Sequence, residues 1–284
     1  MARSNVRVLW VLAAGMSAAG CKLQIPLRPP LPPPVEGAVA LTPLTRPKDT
    51  DLTHRMLLVR YRLITLELPI GSVSESEEIW SYLNEEPVGA RIGTALAYNG
   101  LRVGMGNRSV WPDIAQVLRR LAGWQLRRSS AVARPGVPLP VTVKRGVGKQ
   151  TLFLFRPDGT LVGQDYPPGD NVLMLTAGID RENPSSVRLT CTPLIRAQRR
   201  RPRYVRAGGG YTLAAGTDHF ALRDMDFAFV LAPGAFLVIG PGPDVRRESS
   251  PGHCFLVRRR KGVPFETVLV VAPEVFLAPV TKMR

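Results

Sequence analysis

Imidazole and thiol side chains are the groups in this sequence that could do chemistry. The histidines are His54, His219 and His253, and the cysteines are Cys21, Cys191 and Cys254. Their spacing predicts no site, because the chain contains no His-Glu-x-x-His pair, no Cys-x-x-Cys pair and no Gly-x-Ser-x-Gly elbow. The sequence therefore predicts no metal site, no cofactor and no catalytic residue, and we expect a protein that is not an enzyme.

Cys254 follows His253 directly, in a segment that the pattern predicts to be a strand over residues 254–260. Adjacent residues of a strand point to opposite faces of the sheet, so His253 would not activate Cys254. In an oxidising compartment Cys254 and Cys191 could form a disulfide. The alternative is that both are small buried hydrophobic residues.

The remaining cysteine, Cys21, ends a leader whose three parts are typical of an export signal. Arg3 and Arg7 supply the positive charge, an apolar run begins at Val8, and small residues precede the cysteine. The apolar run is shorter than the roughly 20 residues that a membrane-spanning helix needs. Residues 1–20 are therefore predicted to be a signal peptide.

The segment Ala18-Ala19-Gly20-Cys21 resembles the lipobox of bacterial lipoproteins. The resemblance implies that the Cys21 thiol takes a diacylglycerol and that the mature chain begins at this lipidated residue. Leucine is usual in the family where this chain has Ala18, and ordinary signal cleavage near Ala19 or Gly20 is the alternative. Lys22 after the cysteine, rather than aspartate, implies an outer-membrane lipoprotein on the periplasmic or surface face of the cell envelope.

Prolines dominate the segment that follows, which with Cys21 makes up residues 21–50. Its run from Arg28 to Pro34 predicts polyproline II structure, a stiff stalk between the lipid anchor and the folded part. A proline-rich run is also a ligand for aromatic grooves, which is the alternative interpretation.

The formal net charge is +16 and comes mostly from arginine. Such a chain is attracted to polyanions. Because the leader predicts export from the cytoplasm, the protein would not meet intracellular DNA, and we expect no nucleic-acid partner. Envelope proteins or anionic surface polymers are the expected partners, beside the membrane itself. The residues predicted to contact them lie in an arginine-rich loop expected over residues 196–206. They are Arg196, Arg199, Arg200, Arg201 and Arg203. The alternative is a solvated loop without a partner.

Residues 51–130 predict a small α/β module. It starts with a strand over residues 56–69 and continues with a helix that a capping box at Ser74 opens. A second helix follows from Pro87 to Asn99, then a short strand over residues 101–105 and a third helix from Pro112.

Residues 136–284 predict a mostly antiparallel β-domain, because short apolar runs alternate with glycine and proline. The predicted strands cover residues 139–144, 151–155, 160–166, 171–178, 187–194, 226–232, 235–239, 254–260 and 267–272. With the first module they make an α+β fold of two domains.

The C-terminal third resembles the closing β-domain of secretins, which are outer-membrane ring proteins of secretion systems. The resemblance is carried by an apolar strand ending at Leu194, the run Phe227–Leu231, the glycine turn before Phe236 and the hydrophobic strand that ends at Pro273. It implies a relative of one piece of such a machine.

Two hypotheses follow, one for a structural or binding protein and one for an enzyme. The first is a lipid-anchored envelope protein with a structural or protein-interaction role, with a secretin-related secretion component as an alternative. The second is an exported hydrolase, which requires a pocket that joins His219 or His253 to an acidic residue.

Overall fold

A computed structural model of the chain describes residues 55–122, 126–207 and 209–279. The predicted signal peptide, the lipidation residue Cys21, the proline-rich stalk and His54 lie outside the described residues.

The fold is α+β, as the sequence predicts, and every strand pairing in the described residues is antiparallel. The strands are β1 (Arg55–Pro69), β2 (Leu101–Gly106), β3 (Leu126–Ala133), β4 (Leu139–Val147), β5 (Gln150–Phe155), β6 (Leu161–Tyr166), β7 (Gly169–Ile179), β8 (Val187–Ala207), β9 (Gly210–Ala221), β10 (Phe227–Leu231), β11 (Phe236–Pro241), β12 (Val257–Arg260) and β13 (Val263–Pro279). The α-helices are α1 (Ala90–Tyr98), α2 (Trp111–Ala122) and α3 (Pro251–Leu256).

The larger sheet joins both ends of the chain. Its strand order is β2-β11-β13-β1-β3, with β12 paired to β13. β1 pairs with β13 along its whole length, from Arg55 opposite Pro279 to Pro69 opposite Phe265. The predicted boundary between residues 130 and 136 is therefore wrong, because strands from both sides of it share one sheet and lie in one compact unit.

A second sheet has the order β10-β8-β7-β4, with β9 also paired to β8, and β5 and β6 form a separate hairpin. The main core lies between the two larger sheets. Leu63 of β1 and Leu237 of β11 belong to the same buried cluster as Leu175 of β7 and Phe229 of β10. The Tyr61 hydroxyl also connects the sheets, because it accepts a hydrogen bond from Ala177 N at 3.0 Å.

A smaller core covers the opposite face of the larger sheet. Ile114 and Leu118 of α2 pack there with Leu66 of β1 and Val238 of β11. Successive side chains of a strand point to opposite faces, so a strand covered on both sides needs apolar residues throughout. This explains the continuous apolar run predicted as a strand at residues 267–272, which lies within β13.

The helix predicted after Ser74 is wrong. A 3-10 turn at Trp80–Tyr82 is the first helical structure there. The buried carboxylate of Glu266 accepts hydrogen bonds from Gly71 N, at 2.6 Å, and from Val73 N, at 3.0 Å, and the Ser74 hydroxyl also donates to it. Because Ser74 is engaged by Glu266, its side chain does not cap a helix.

Two other predictions are corrected. Cys254 lies in α3 rather than in a strand, which begins only at Val257. The predicted arginine-rich loop at residues 196–206 is the second half of β8. Among the described residues, no helix is long and apolar enough to cross a membrane.

Candidate functional site

The second half of β8 projects beyond its sheet. β10 accompanies β8 only as far as Cys191, and β7 pairs with it only as far as Ala197. Gln198 N then donates a hydrogen bond to Pro168 O at 3.0 Å. Beyond this point the described pairing of β8 is with β9 alone. Residues 198–207 and 209–217 therefore form a two-stranded hairpin, which we call the arm.

The arm starts at an irregularity in the β8–β9 pairing. Arg196 lies opposite His219, whereas the next paired position on β8 is Arg200, opposite Thr217. Between these two paired positions, β8 is four residues long and β9 is two residues long. Extra residues of this kind bend a strand and increase its twist, so the arm begins at a bulge.

The base of the arm is held by side chains of the main body. The Arg196 guanidinium donates to Asp170 Oδ2 at 2.8 Å and lies 3.4 Å from Thr142 Oγ1. Hydrogen bonding from Arg196 lowers the pKa of Asp170. Phe220 of β9 packs edge-on against Tyr166 with ring centroids 5.9 Å apart. These contacts fix where the arm begins.

The predicted contact residues divide into two groups. Arg196 belongs to the base and is engaged by Asp170. The other four predicted arginines belong to the strand of the arm, although their side chains are outside the described part of the structure. They are Arg199, Arg200, Arg201 and Arg203.

One face of the arm is apolar and exposed. Tyr204 lies directly opposite Leu213, and Arg206 lies opposite Tyr211. Opposite residues of an antiparallel pair share a face, as do alternate residues along one strand, so these four side chains lie together. The exposed fractions are 77% for Tyr204, 74% for Tyr211 and 63% for Leu213. They are the highest among the large hydrophobic side chains of the described residues, where Leu277 follows at 57%.

The arm is also strongly basic. From residue 198 to residue 217 the sequence carries five arginines and no lysine, aspartate or glutamate. Arg206 is exposed on the same face as Tyr204, Tyr211 and Leu213. An exposed basic strand attracts anions over a distance of about a Debye length, or roughly 8–10 Å at physiological salt. The arm therefore attracts anions through its charge and also has an exposed apolar surface that a partner can bury.

Sequence reasoning found the arginines of this site but missed Tyr204, Tyr211 and Leu213. A signal for them was present, since two tyrosines flank the glycines at residues 208–210. A glycine turn between two potential strands predicts a hairpin, and the register of that hairpin would have placed the apolar residues on one face.

The structure brings no histidine into a catalytic arrangement among the described residues. His219 is exposed at the base of the arm. His253 Nδ1 lies 2.9 Å from Val245 O, a backbone contact. Cys191 and Cys254 are both free thiols, and burial raises the pKa of each. The described residues include no group of three side chains that could hold a metal ion.

A groove of about 1160 Å³ opens between β1, β3 and the turn before β11. Its lining includes Arg62, Arg108, Trp111, Arg128 and Glu274, but none of the described histidines or cysteines. Glu274 accepts a hydrogen bond from Arg62 at 2.7 Å, so the one acidic residue of the lining is already paired. The groove therefore offers no acid–base pair, and the arm is the stronger candidate site.

No protein-family model matches the chain, and no curated protein matches it. Solved structures with some similarity include the type IV competence pilus secretin PilQ of V. cholerae, at 9% identity over 81% of this chain and 62% of that one, with a TM-score of 0.23. The secretin domain of InvG from the Salmonella SPI-1 injectisome is 9% identical over 81% of this chain and 65% of that one, again with a TM-score of 0.23. The chain thus spans less than two thirds of the length of either structure. The likeness to both structures is weak.

Proposed function

We propose that this chain is a binding protein of the cell envelope, not an enzyme, and that the arm contacts an anionic partner. The observation that carries the proposal is the projection of a basic hairpin beyond the body of the protein, paired only with itself. Its base is fixed by the bond between Arg196 and Asp170. A partner could thus reach both strands of the arm without disturbing either core.

The envelope location rests on the leader and on Cys21, whose thiol would carry the lipid anchor. Several acyl chains on one residue hold a protein at a membrane far more firmly than a single chain does. In this proposal the partners are the membrane through the anchor, and envelope proteins or anionic surface polymers through the arm. Nucleic acid is not among them.

The anchor is tested by Cys21→Ser in cells. Serine keeps the size of the side chain but lacks the sulfur that accepts the lipid, so the variant should leave the membrane fraction after a salt wash. If it stays in that fraction, the lipid anchor is wrong.

The arm is tested by changing Arg199, Arg200 and Arg201 to Gln and measuring the salt concentration that elutes the protein from immobilised dextran sulfate, a simple polyanion. The matched control removes the same charge from exposed arginines elsewhere, with Arg119, Arg127 and Arg181 changed to Gln. We expect earlier elution for the arm variant than for the control. Equal elution of the two variants would refute the arm as the contact.

The secretin-related alternative keeps one specific support. The apolar runs that carry the resemblance lie in the strands β8, β10, β11 and β13, in the expected order, but β8 continues past Leu194 and β13 continues past Pro273. This alternative predicts ring-shaped oligomers of the purified protein in electron micrographs, whereas the binding protein requires none.

A further inference from the structure

We propose that the partner of the arm is the surface of an anionic lipid bilayer, which the arm enters with its apolar face. Tyr204, Tyr211 and Leu213 would lie at the boundary between head groups and acyl chains, while the arginines stay among the head groups. This inference rests on the proposed function, because it names the partner of the same arm.

The first step is the clustering of the apolar side chains. Tyr204 and Leu213 are directly paired across the arm, and Tyr211 is two residues from Leu213 on β9. Neighbours of this kind lie within about 5–8 Å of each other, so the three form one patch. Single exposed hydrophobic residues are ordinary on protein surfaces, but a cluster of the most exposed ones at the end of a projection marks a contact.

The second step is the type of side chain. Tyrosine has an apolar ring and a polar hydroxyl, and it is enriched where hydrocarbon meets water in membranes. Arginine extends an apolar stem and keeps its guanidinium among polar groups. A strand pair with tyrosines and a leucine on one face and arginine beside them therefore matches a lipid interface better than a purely apolar partner.

The third step excludes charge attraction as the sole basis of binding by the arm. A soluble anionic polymer would neutralise the five arginines of the arm but leave Tyr204, Tyr211 and Leu213 in water. A bilayer with anionic head groups takes up both, because membrane binding grows with buried apolar area and with attraction to anionic lipids.

Reach is the fourth step. Ten residues of β8, from 198 to 207, extend about 33 Å at the rise of a β-strand. The patch lies in the outer half of this length, since Tyr204 is three residues from the end of β8. The tip can thus meet a flat surface while the body of the protein stays clear of it.

The test uses residues 21–284 carrying Cys21→Ser, so that neither the predicted leader nor an acyl chain contributes to binding. Binding is measured by sedimentation with vesicles of phosphatidylcholine alone and of phosphatidylcholine mixed with phosphatidylglycerol. In the patch variant Tyr204, Tyr211 and Leu213 are changed to Ser. In its matched control the exposed residues Tyr82, Tyr98 and Leu161 are changed to Ser.

We expect the parent chain to bind the mixed vesicles and not the neutral ones. The patch variant should lose at least about tenfold in affinity for the mixed vesicles, because the apolar contribution is removed. The patch variant should elute from dextran sulfate at the same salt concentration as the parent. The control variant should match the parent in both elution and vesicle binding. Unchanged vesicle binding by the patch variant would overturn the lipid inference but leave the polyanion contact standing.

The variant with Arg199, Arg200 and Arg201 changed to Gln distinguishes the two proposals. If it binds both dextran sulfate and mixed vesicles like the parent, the proposed function itself fails. If it loses both while the patch variant loses only the vesicles, both proposals hold.

A fluorescent reporter separates insertion from surface adsorption and does not depend on a loss of binding. Tyr211→Trp places an indole in the patch, and Tyr98→Trp places one on an exposed position outside the arm. The tested chain also contains Trp80, Trp111 and Trp124, so the emission of each variant is compared with that of the parent. With mixed vesicles the emission that Tyr211→Trp adds should shift to shorter wavelength and be quenched by brominated lipid, while the emission that Tyr98→Trp adds should not change. Emission of Tyr211→Trp that stays the same with bound vesicles would refute insertion.

Discussion

The side-chain amide of Asn99 pairs with the backbone of Phe155 as a neighbouring strand would. Asn99 Oδ1 accepts a hydrogen bond from Phe155 N at 2.8 Å, and Asn99 Nδ2 donates to Phe155 O at 2.7 Å. Nδ2 also donates to Ala95 O at 2.8 Å, within α1. One completely buried amide thus ends a helix and holds the hairpin of β5 and β6 against it.

Replacing this amide should destabilise the protein. Asn99→Ala leaves the N–H and C=O of Phe155 without their partner at a partly buried position, so we expect the free energy of unfolding to fall by about 1–3 kcal/mol. Urea denaturation followed by circular dichroism measures it. Asn183→Ala is the control, because Asn183 is exposed and its side chain only stabilises a turn at Ser185. A loss no larger than that of the control would contradict the role of Asn99.

Asn99 also shows why local sequence patterns predict single helices and strands more readily than the way these elements pack together. The pattern identified it as the end of a helix, and α1 does end there. The bond to Phe155 joins residues 56 positions apart and leaves no periodic trace in the sequence. The pairing of β1 with β13 is of the same kind, which is why two domains were predicted where one sheet joins both ends.

Strands at the periphery were harder to predict than strands in the core. β3 carries Arg127, Arg128, Ser129 and Ser130 in succession, all exposed, so no alternation marks it. Its partner β1 determines its structure. β8 was predicted only as far as Leu194, because the alternation of its first half gives way to arginines.

The same limit applies to the arm. Its charge was visible in the sequence, but its geometry depends on the pairing of Tyr204 with Leu213 across a turn. A strand places alternate residues on one face, whereas a loop of the same composition does not. The apolar patch therefore followed only from the register of the strands.

A second prediction concerns Arg102, whose guanidinium holds two carboxylates. It lies 2.7 Å from Glu77 Oε1 and 2.7 Å from Glu85 Oε1, and it is 4.8 Å from the centroid of the Trp80 ring. Side-chain hydrogen bonding by Arg102 lowers the pKa of Glu77. Arg102→Met should cost about 1–2 kcal/mol in thermal or urea unfolding, and Arg102→Lys should recover only part of it, since lysine lacks the planar fork.

Arg120 provides the control for that prediction. Its ion pair with Glu78 is exposed on both sides, and exposed pairs contribute little. Arg120→Met should therefore change stability by less than about 0.5 kcal/mol. If both methionine variants behave alike, the Arg102 cluster is no more than a surface pair.

A third prediction concerns acid stability at the base of the arm. Hydrogen bonds, first from Arg196 and then from Gly146 N, lower the pKa of Asp170. A carboxylate with a lowered folded-state pKa stabilises the protein above its unfolded-state pKa of about 4, and this contribution disappears as the pH falls through the folded-state value. Urea denaturation across this range should show a smaller loss of stability on acidification for Asp170→Asn than for the natural chain. An identical pH dependence would show that Arg196 does not hold this carboxylate.

The fourth prediction concerns a backbone junction between α3 and the two residues that follow α1, Asn99 and Gly100. A Cβ added at Gly252 would lie 2.0 Å from Gly100 O, and Gly252 N donates to Asn99 O at 2.7 Å. Gly100 O also accepts from Gly242 N at 2.9 Å, so the carbonyl cannot move without breaking another bond. Gly252→Ala should therefore destabilise the protein by about 3 kcal/mol or more, measured by urea denaturation. Gly148→Ala is the control, since nothing lies within 4 Å of its added Cβ. A Gly252→Ala variant as stable as this control would mean that α3 does not approach Gly100 as closely as described.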